Sequence, residues 1–275
     1  MGFVLVLLLL VVMLGGLWLL AIRANAATRD FYGLSGAHYA HRGLHKSESG
    51  VPENSKRAFR LAANNGYGAE LDVHLSKDKR LVVMHDENLK RTTGLDMKIR
   101  SATAEVFDRL RLEQTGEEIP YLEEVLPIFQ GGTPLIIEIK PCGKNYDRLT
   151  ARVCKLLDKY PGLNFCIESF DPRVLIWLRK NRPEIVRGQL SMNFLKERSG
   201  LKWPTAFALT NLLFNFATQP DFVAYKFEDR KNLSLLLCKK LWRVQEFSWT
   251  IHSQRDADAA RKNHAPIIFE GFAAK

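Results

Sequence analysis

The stretch Ala69 to His85, AELDVHLSKDKRLVVMH, decides the fold. Its first half, Ala69–Leu75, alternates apolar and polar residues with the period of a strand. Its second half, Leu81–Met84, is a short apolar, β-branched run. Only Ser76-Lys77-Asp78-Lys79 and Arg80 lie between them. A parallel crossover needs a dozen or more residues, so the two runs must form an antiparallel hairpin.

Working outward, further candidate strands lie at His38–His41, Leu135–Ile139, Asn164–Glu168, Val186–Leu190, Phe222–Lys226, Glu246–Thr250 and Pro266–Glu270. Amphipathic stretches fall between most of them: Glu53–Ala63, Asn145–Tyr160, Pro172–Lys180 and Asn232–Trp242. With Leu81–Met84 assigned to the hairpin, eight runs remain, the strand count of an α/β fold of the (β/α)8 TIM-barrel type. The hairpin then sits at the top of strand 2 and returns His85 toward Glu70 and Asp72. A doubly wound open sheet is disfavoured, because no glycine-rich phosphate loop follows the first strand.

The chain has 275 residues, 46% of them hydrophobic, enough for one large core plus an appendage. Forty Lys+Arg against 30 Asp+Glu leave a formal charge of +10, which favours anionic partners. The basic residues are scattered and form no recognition-helix or RNA-binding pattern, so no nucleic acid is expected as a partner. Cys142, Cys154, Cys166 and Cys238 lack metal or disulfide spacing and read as ordinary buried thiols.

Phe3 to Ile22 contains no charged residue and is long enough to cross a bilayer as one helix. Ala24-Asn25-Ala26 has the A-x-A form of a cleavage site, yet no Lys or Arg precedes the apolar run and the run exceeds a usual signal-peptide core. The reading is therefore an uncleaved transmembrane anchor over 1–23, a linker over 24–36 and a barrel over 37–275, in a single-pass protein of the cell membrane. Arg23 and Arg29 follow the segment and place the soluble domain in the cytoplasm by the positive-inside rule.

In a barrel of this kind the site is built at the C-terminal ends of the strands. Glu70 and Asp72, two residues apart on a strand, point to one face. Glu138 adds a third carboxylate near another strand end. Burying three carboxylates together calls for a cation or a shared proton, and an all-oxygen set suits Mg2+ or Ca2+ better than Zn2+. An ordinary ion network with Arg or Lys is the alternative. His41 and His85 end separate strands that meet at one rim, so the pair can supply an acid and a base. His74 shares the face of Asp72. Arg42 and Lys140 are positive charges at the same rim, suited to a phosphoryl group or to pairing the carboxylates.

The runs His41-Arg42-Gly43, Pro52-Glu53-Asn54-Ser55, Glu70-Leu71-Asp72-Val73, Val82-Val83-Met84-His85-Asp86 and Ile137-Glu138-Ile139-Lys140 together resemble the glycerophosphodiester phosphodiesterase family, over about Ala37 to Phe272. Ile167-Glu168-Ser169-Phe170 and Ser248-Trp249-Thr250 resemble its later strand ends. The resemblance implies that His41 and His85 are the acid–base pair and that Glu70, Asp72 and Glu138 bind one divalent cation. It places Arg42, Lys140, Asn54, Glu168 and Trp249 on the phosphate or substrate side. The implied reaction is hydrolysis of a glycerophosphodiester to glycerol 3-phosphate and an alcohol. A phospholipase acting on intact or lyso-phospholipids, and a non-catalytic membrane protein that binds phosphorylated head groups, are the alternatives. The family's Thr-Asp on the last strand is replaced by Phe269-Glu270, which leaves the role of Glu270 open. Ala206–Phe216, an apolar insert, is expected to be a helix packed on the barrel, or else an amphipathic lid or membrane-touching helix that admits lipid-derived substrates.

Overall fold

The computed structural model describes residues 2–25, 33–198 and 200–275. Nine strands occur among them: β1 Tyr39–Ala40, β2 Gly68–Leu75, β3 Leu81–Val83, β4 Leu135–Ile139, β5 Phe165–Ser169, β6 Arg187–Ser191, β7 Phe222–Lys226, β8 Gln245–Ile251 and β9 Ile267–Phe269. All pairs are parallel except β2–β3, which is antiparallel with Val73 opposite Val83. The order β1-β9-β8-β7-β6-β5-β4-β2 closes through the pairing of β1 with β2. The result is the expected eight-stranded barrel with the hairpin outside the ring.

The hairpin turn is held locally: the Ser76 hydroxyl accepts the Arg80 amide at 2.7 Å, and Lys79 takes φ +68°. Alternation then sorts the side chains. Leu71, Val73, Leu135, Ile137, Ile139 and Ile167 face outward into the main core against the helices. Tyr39, Ile136, Cys166, Phe222 and Phe247 fill the lower interior of the ring. Gly188 sits there because a Cβ would lie 2.1 Å from two carbons of the Phe222 ring.

The crossovers carry α2 Lys56–Asn64, α3 Leu122–Phe129, α4 Tyr146–Leu157, α5 Pro172–Asn181, α6 Trp203–Thr210, α7 Asn215–Thr218, α8 Leu233–Trp242 and α9 Gln254–Arg261, after an N-terminal α1 over Gly2–Ala21. Sequence caps set several starts. Ser55 accepts from the Ala58 amide, Asp171 from Arg173 with Pro172 behind it, and Asn232 from Leu235. The Ser55 cap corrects the expected start at Glu53: Glu53 and Asn54 form a turn outside the helix, with Asn54 at φ +53°. The insert 206–216 is also not one helix, since it breaks between α6 and α7 where Leu212 takes φ +56°.

Between β3 and α3 the chain makes an excursion with its own small core of Met84, Leu89, Phe107 and Leu112. Nothing in the sequence pattern set this unit apart. Cys154, Cys166 and Cys238 are buried thiols, but Cys142 is half-exposed, and its Sγ donates to Glu87 Oε1 at 3.1 Å. It follows β4 in the polar loop that leaves the barrel top, where no core is available.

Ile22 and Ala24 are buried against the barrel, and Asn25 Nδ2 donates to Asp221 Oδ1 at 2.6 Å. The first residues of the expected linker thus touch the domain, while 26–32, including Ala26 and Arg29, lie outside the described residues.

Candidate active site

Register across the strands assembles the acidic group. Asp72 lies beside Glu138 on β4, and Glu138 beside Glu168 on β5, all at the upper end of the ring. Glu70, Asp72 and Glu138 are buried and present oxygens within 4.8 Å of one another. Burial and the neighbouring Asp72, Glu138 and Glu168 push the Glu70 carboxyl well above its ordinary range. Burial raises Glu138 to about 7, against the pull of Lys140. Glu168 is likewise held high by burial and then by Glu138 and Asp72, and its Oε2 has no hydrogen-bond partner among the described residues. Asp72 behaves oppositely. Burial alone would raise it, but Lys140, His85 and Arg42 outweigh that and hold it low.

The cations explain this division. Lys140 Nζ lies 3.2 Å from both Asp72 Oδ1 and Glu138 Oε2. Asn54 donates its side-chain amide to Asp72 Oδ2 at 2.9 Å, so it meets the site through that carboxylate. Arg42 Nη1 contacts Glu53 Oε1 at 3.1 Å, and its Nε lies 3.7 Å from Asp72 Oδ2. Its backbone, at φ +54°, is strained for a non-glycine residue, and the amide donates to Glu70 Oε2 at 3.1 Å.

Each candidate histidine has a carboxylate on Nδ1. His41 Nδ1 lies 2.6 Å from Glu270 Oε2, with Nε2 3.9 Å from Glu70 Oε2. His85 Nδ1 lies 2.7 Å from Asp86 Oδ1. A carboxylate on Nδ1 keeps the proton there and leaves Nε2 for the cavity. Burial lowers both imidazoles from their ordinary value, and the contact with Glu270 opposes this at His41. The pairing with His41 in turn drops Glu270 to about 2. His74 Nε2 meets the His85 backbone carbonyl at 3.1 Å, and burial pushes its imidazole down to about 4.

A cavity of about 130 Å³ collects these groups. His41, Arg42, Glu70, His85, Glu138 and Glu168 form its polar side; Phe170, Leu190, Trp249 and Ile268 form an apolar side. Lys140 and Asn54 stand behind the carboxylates and do not line it. Residues not singled out in the sequence complete the surroundings. Glu53 bridges Arg42 to Arg91, and Arg91 reaches Asp86, which holds His85. Glu53 and Asp86 were visible as neighbours of the histidine and asparagine motifs; Arg91 gave no signal.

The buried oxygens suit a hard divalent cation. Glu70 and Glu138, whose proton affinity Asp72 raises at this spacing, are relieved by an ion with two positive charges, and the donor set of the three is all oxygen.

Comparison with known proteins agrees with this arrangement. The sequence profile of the glycerophosphoryl diester phosphodiesterase family matches residues 41–263. A glycerophosphodiester phosphodiesterase of Caldanaerobacter subterraneus is 32% identical over 233 residues, covering 80% of this chain and 87% of its own. Among solved structures, that of a glycerophosphodiester phosphodiesterase from Thermotoga maritima superposes with a TM-score of 0.63 at 26% identity, over 84% of this chain and 92% of that one. An Oleispira antarctica phosphodiesterase, solved with the product sn-glycerol-3-phosphate, has the same fold with a TM-score of 0.71 at 23% identity, over 88% of this chain and 95% of its own. The barrel, its strand-end carboxylates and histidines, and a profile match that runs from His41 through β8 lead to one assignment: the chain belongs to the glycerophosphoryl diester phosphodiesterase family.

Proposed function

We propose that the chain hydrolyses glycerophosphodiesters to glycerol 3-phosphate and an alcohol, with His41 and His85 as the proton-transfer pair. The observation that carries this reading is the convergence of two carboxylate-oriented imidazoles and the buried Glu70, Glu138 and Glu168 on one cavity, with Asp72 beside Glu70 and Glu138. The relative from Caldanaerobacter, named for this activity, supports the substrate class.

In this reading one imidazole takes a proton from the attacking hydroxyl, which is water or the substrate's own glycerol hydroxyl. The other returns a proton to the leaving alkoxide. Glu270 and Asp86 hold the two rings with Nε2 toward the phosphodiester. Arg42, at the cavity, offsets charge that grows on the phosphoryl oxygens, and Lys140 adds positive charge from behind Asp72 and Glu138. Glu70, Asp72 and Glu138 would hold a divalent ion, which when bound supplies Lewis-acid stabilisation of phosphoryl charge. A metal panel separates Mg2+ from Ca2+.

A second reading, a lipid-linked diester, is favoured by the apolar wall of Phe170, Leu190 and Trp249. Turnover of glycerophosphocholine compared with a lysophospholipid distinguishes the two. His41→Ala and His85→Ala are each expected to lower kcat by orders of magnitude with the barrel intact. Near-normal turnover in either would overturn the proton-transfer roles.

We further propose that α1 anchors the chain in a membrane. Its 20 residues carry no charge, and none is fully buried, with its last turn partly covered by the barrel. A mature chain that begins after residue 26 would identify it as a signal sequence instead.

A further inference from the structure

We propose that the side of the barrel formed by α6, α7 and the start of α8 is a membrane-docking face, immersed in the interfacial layer of the bilayer that α1 crosses. This rests on the reading of α1 as an anchor and goes beyond it: a helix on a free linker would leave the barrel in water.

The contact between α1 and the barrel carries the argument. Trp18 Nε1 donates to Ser234 Oγ at 3.1 Å, and the Ile22 carbonyl accepts from Asn215 Nδ2 at 3.3 Å, with Cys238 Sγ at 3.1 Å. Ile22 packs fully buried with Leu212, Val223 and Leu235. The helix is therefore seated on the barrel before it ends. Higher up, Leu14 and Leu17 share a groove of about 590 Å³ with Phe207 and Leu213.

Depth follows from helix geometry. Gly2–Ala21 at about 1.5 Å per residue spans about 30 Å, the thickness of the hydrocarbon layer. Leu17 and Leu14 then lie about 6 and about 10 Å inside its boundary. Phe207 faces them, so α6 reaches the same level.

The surface beside the anchor is built for that depth. Trp203 is 58% exposed, and its ring stacks on Phe207 with centroids 5.4 Å apart. Phe216 on α7 and Leu233 and Leu236 on α8 are also exposed. Residues 195–243 hold nine Lys/Arg against four Asp/Glu, half of the chain's surplus of ten positive charges. Lys202, Lys231, Lys240 and Arg243 among them, with Arg23 at the end of α1, are exposed. Apolar aromatic side chains beside exposed cations match the interface of an anionic bilayer. The loop that leads from β6 into α6 carries Phe194, which packs edge-on to Phe170 of the cavity wall at 5.8 Å. Docking thus brings the apolar wall of the site beside the lipid surface.

The test uses the full chain in phosphatidylcholine–phosphatidylglycerol vesicles, with a nitroxide at a shallow acyl position. Difference emission between wild type and Trp203→Phe isolates Trp203, and Trp18→Phe isolates Trp18. Quenching of both components by at least half is expected, as is loss of the Trp203 quenching in Phe207→Asp with hydrolysis of soluble glycerophosphocholine unchanged. Quenching of Trp18 alone would overturn docking while leaving the anchor. Quenching of neither would overturn both. A Trp203 component shielded from nitroxide, with emission that shifts to the red as protein is diluted in lipid, would assign the face to a second copy of this chain and also overturn the proposal.

Discussion

Replacing Glu270 by glutamine keeps the shape of the side chain and removes the charge that holds His41. In the structure the carboxylate sits 2.6 Å from His41 Nδ1, and His45 Nε2 lies 3.7 Å away on its other oxygen. A hydrogen bond to a charged group contributes about 1.5–3 kcal/mol. The Glu270 side chain is 31% exposed, so solvent screening places the loss near the lower end, about 1.5–2 kcal/mol. At 1.36 kcal/mol per decade this is a fall of roughly 10- to 30-fold in kcat/KM. The sign of the pH effect also follows. Burial already lowers His41 and the Glu270 contact opposes it, so the glutamine variant lowers His41 further. The limb of the kcat/KM profile set by His41 should move to lower pH. The assay is kcat/KM for glycerophosphocholine between pH 5 and 9 in wild type, Glu270→Gln and Glu270→Asp, with thermal unfolding as the folding control. A glutamine variant within twofold of wild type and with an unmoved profile would refute the assignment of Glu270 as a positioning residue.

Three further outcomes are expected. Chelation should abolish hydrolysis, and Mg2+ or Ca2+ at about 100 times Kd should restore it and add about 2.7 kcal/mol of stability; Glu70→Gln should lose both responses, and a chelator-insensitive enzyme would exclude the metal role. His74, lowered to about 4 from 6.5, contributes stability that is complete above pH 6.5 and is lost as pH falls toward 4. Between pH 7 and 5 that loss is about 2 kcal/mol, roughly 4–8 °C in Tm, so the Tm of His74→Gln should fall less over this range than that of wild type; an equal fall would refute it. In Gly188→Ala the new methyl meets the Phe222 ring at 2.1 Å. The clash should cost about 1–3 kcal/mol and lower Tm by several degrees, and a Tm unchanged in calorimetry would show that the ring yields freely.

The strand pattern, the hairpin and the trio Glu70, Asp72 and Glu138 were legible in the sequence because they depend on local rules. Alternation sets which side chains share a face, and five residues between two strands cannot form a parallel crossover. The family motifs add the histidines, since each ends a recognisable apolar run. What tertiary structure alone decided involves groups far apart in the chain. Glu270 meets His41 across 229 residues because closure of the ring lays β9 beside β1. Arg91 reaches Glu53 and Asp86 from an excursion whose apolar residues follow no single period. The division of the carboxylates into a low Asp72 and raised Glu70, Glu138 and Glu168 depends on where Lys140 and Arg42 lie in three dimensions. The apolar N-terminal run likewise declared its length in the sequence, whereas its seat on Ser234, Asn215 and Cys238 did not. Local periodicity specifies which face a residue occupies; only packing specifies what that face meets.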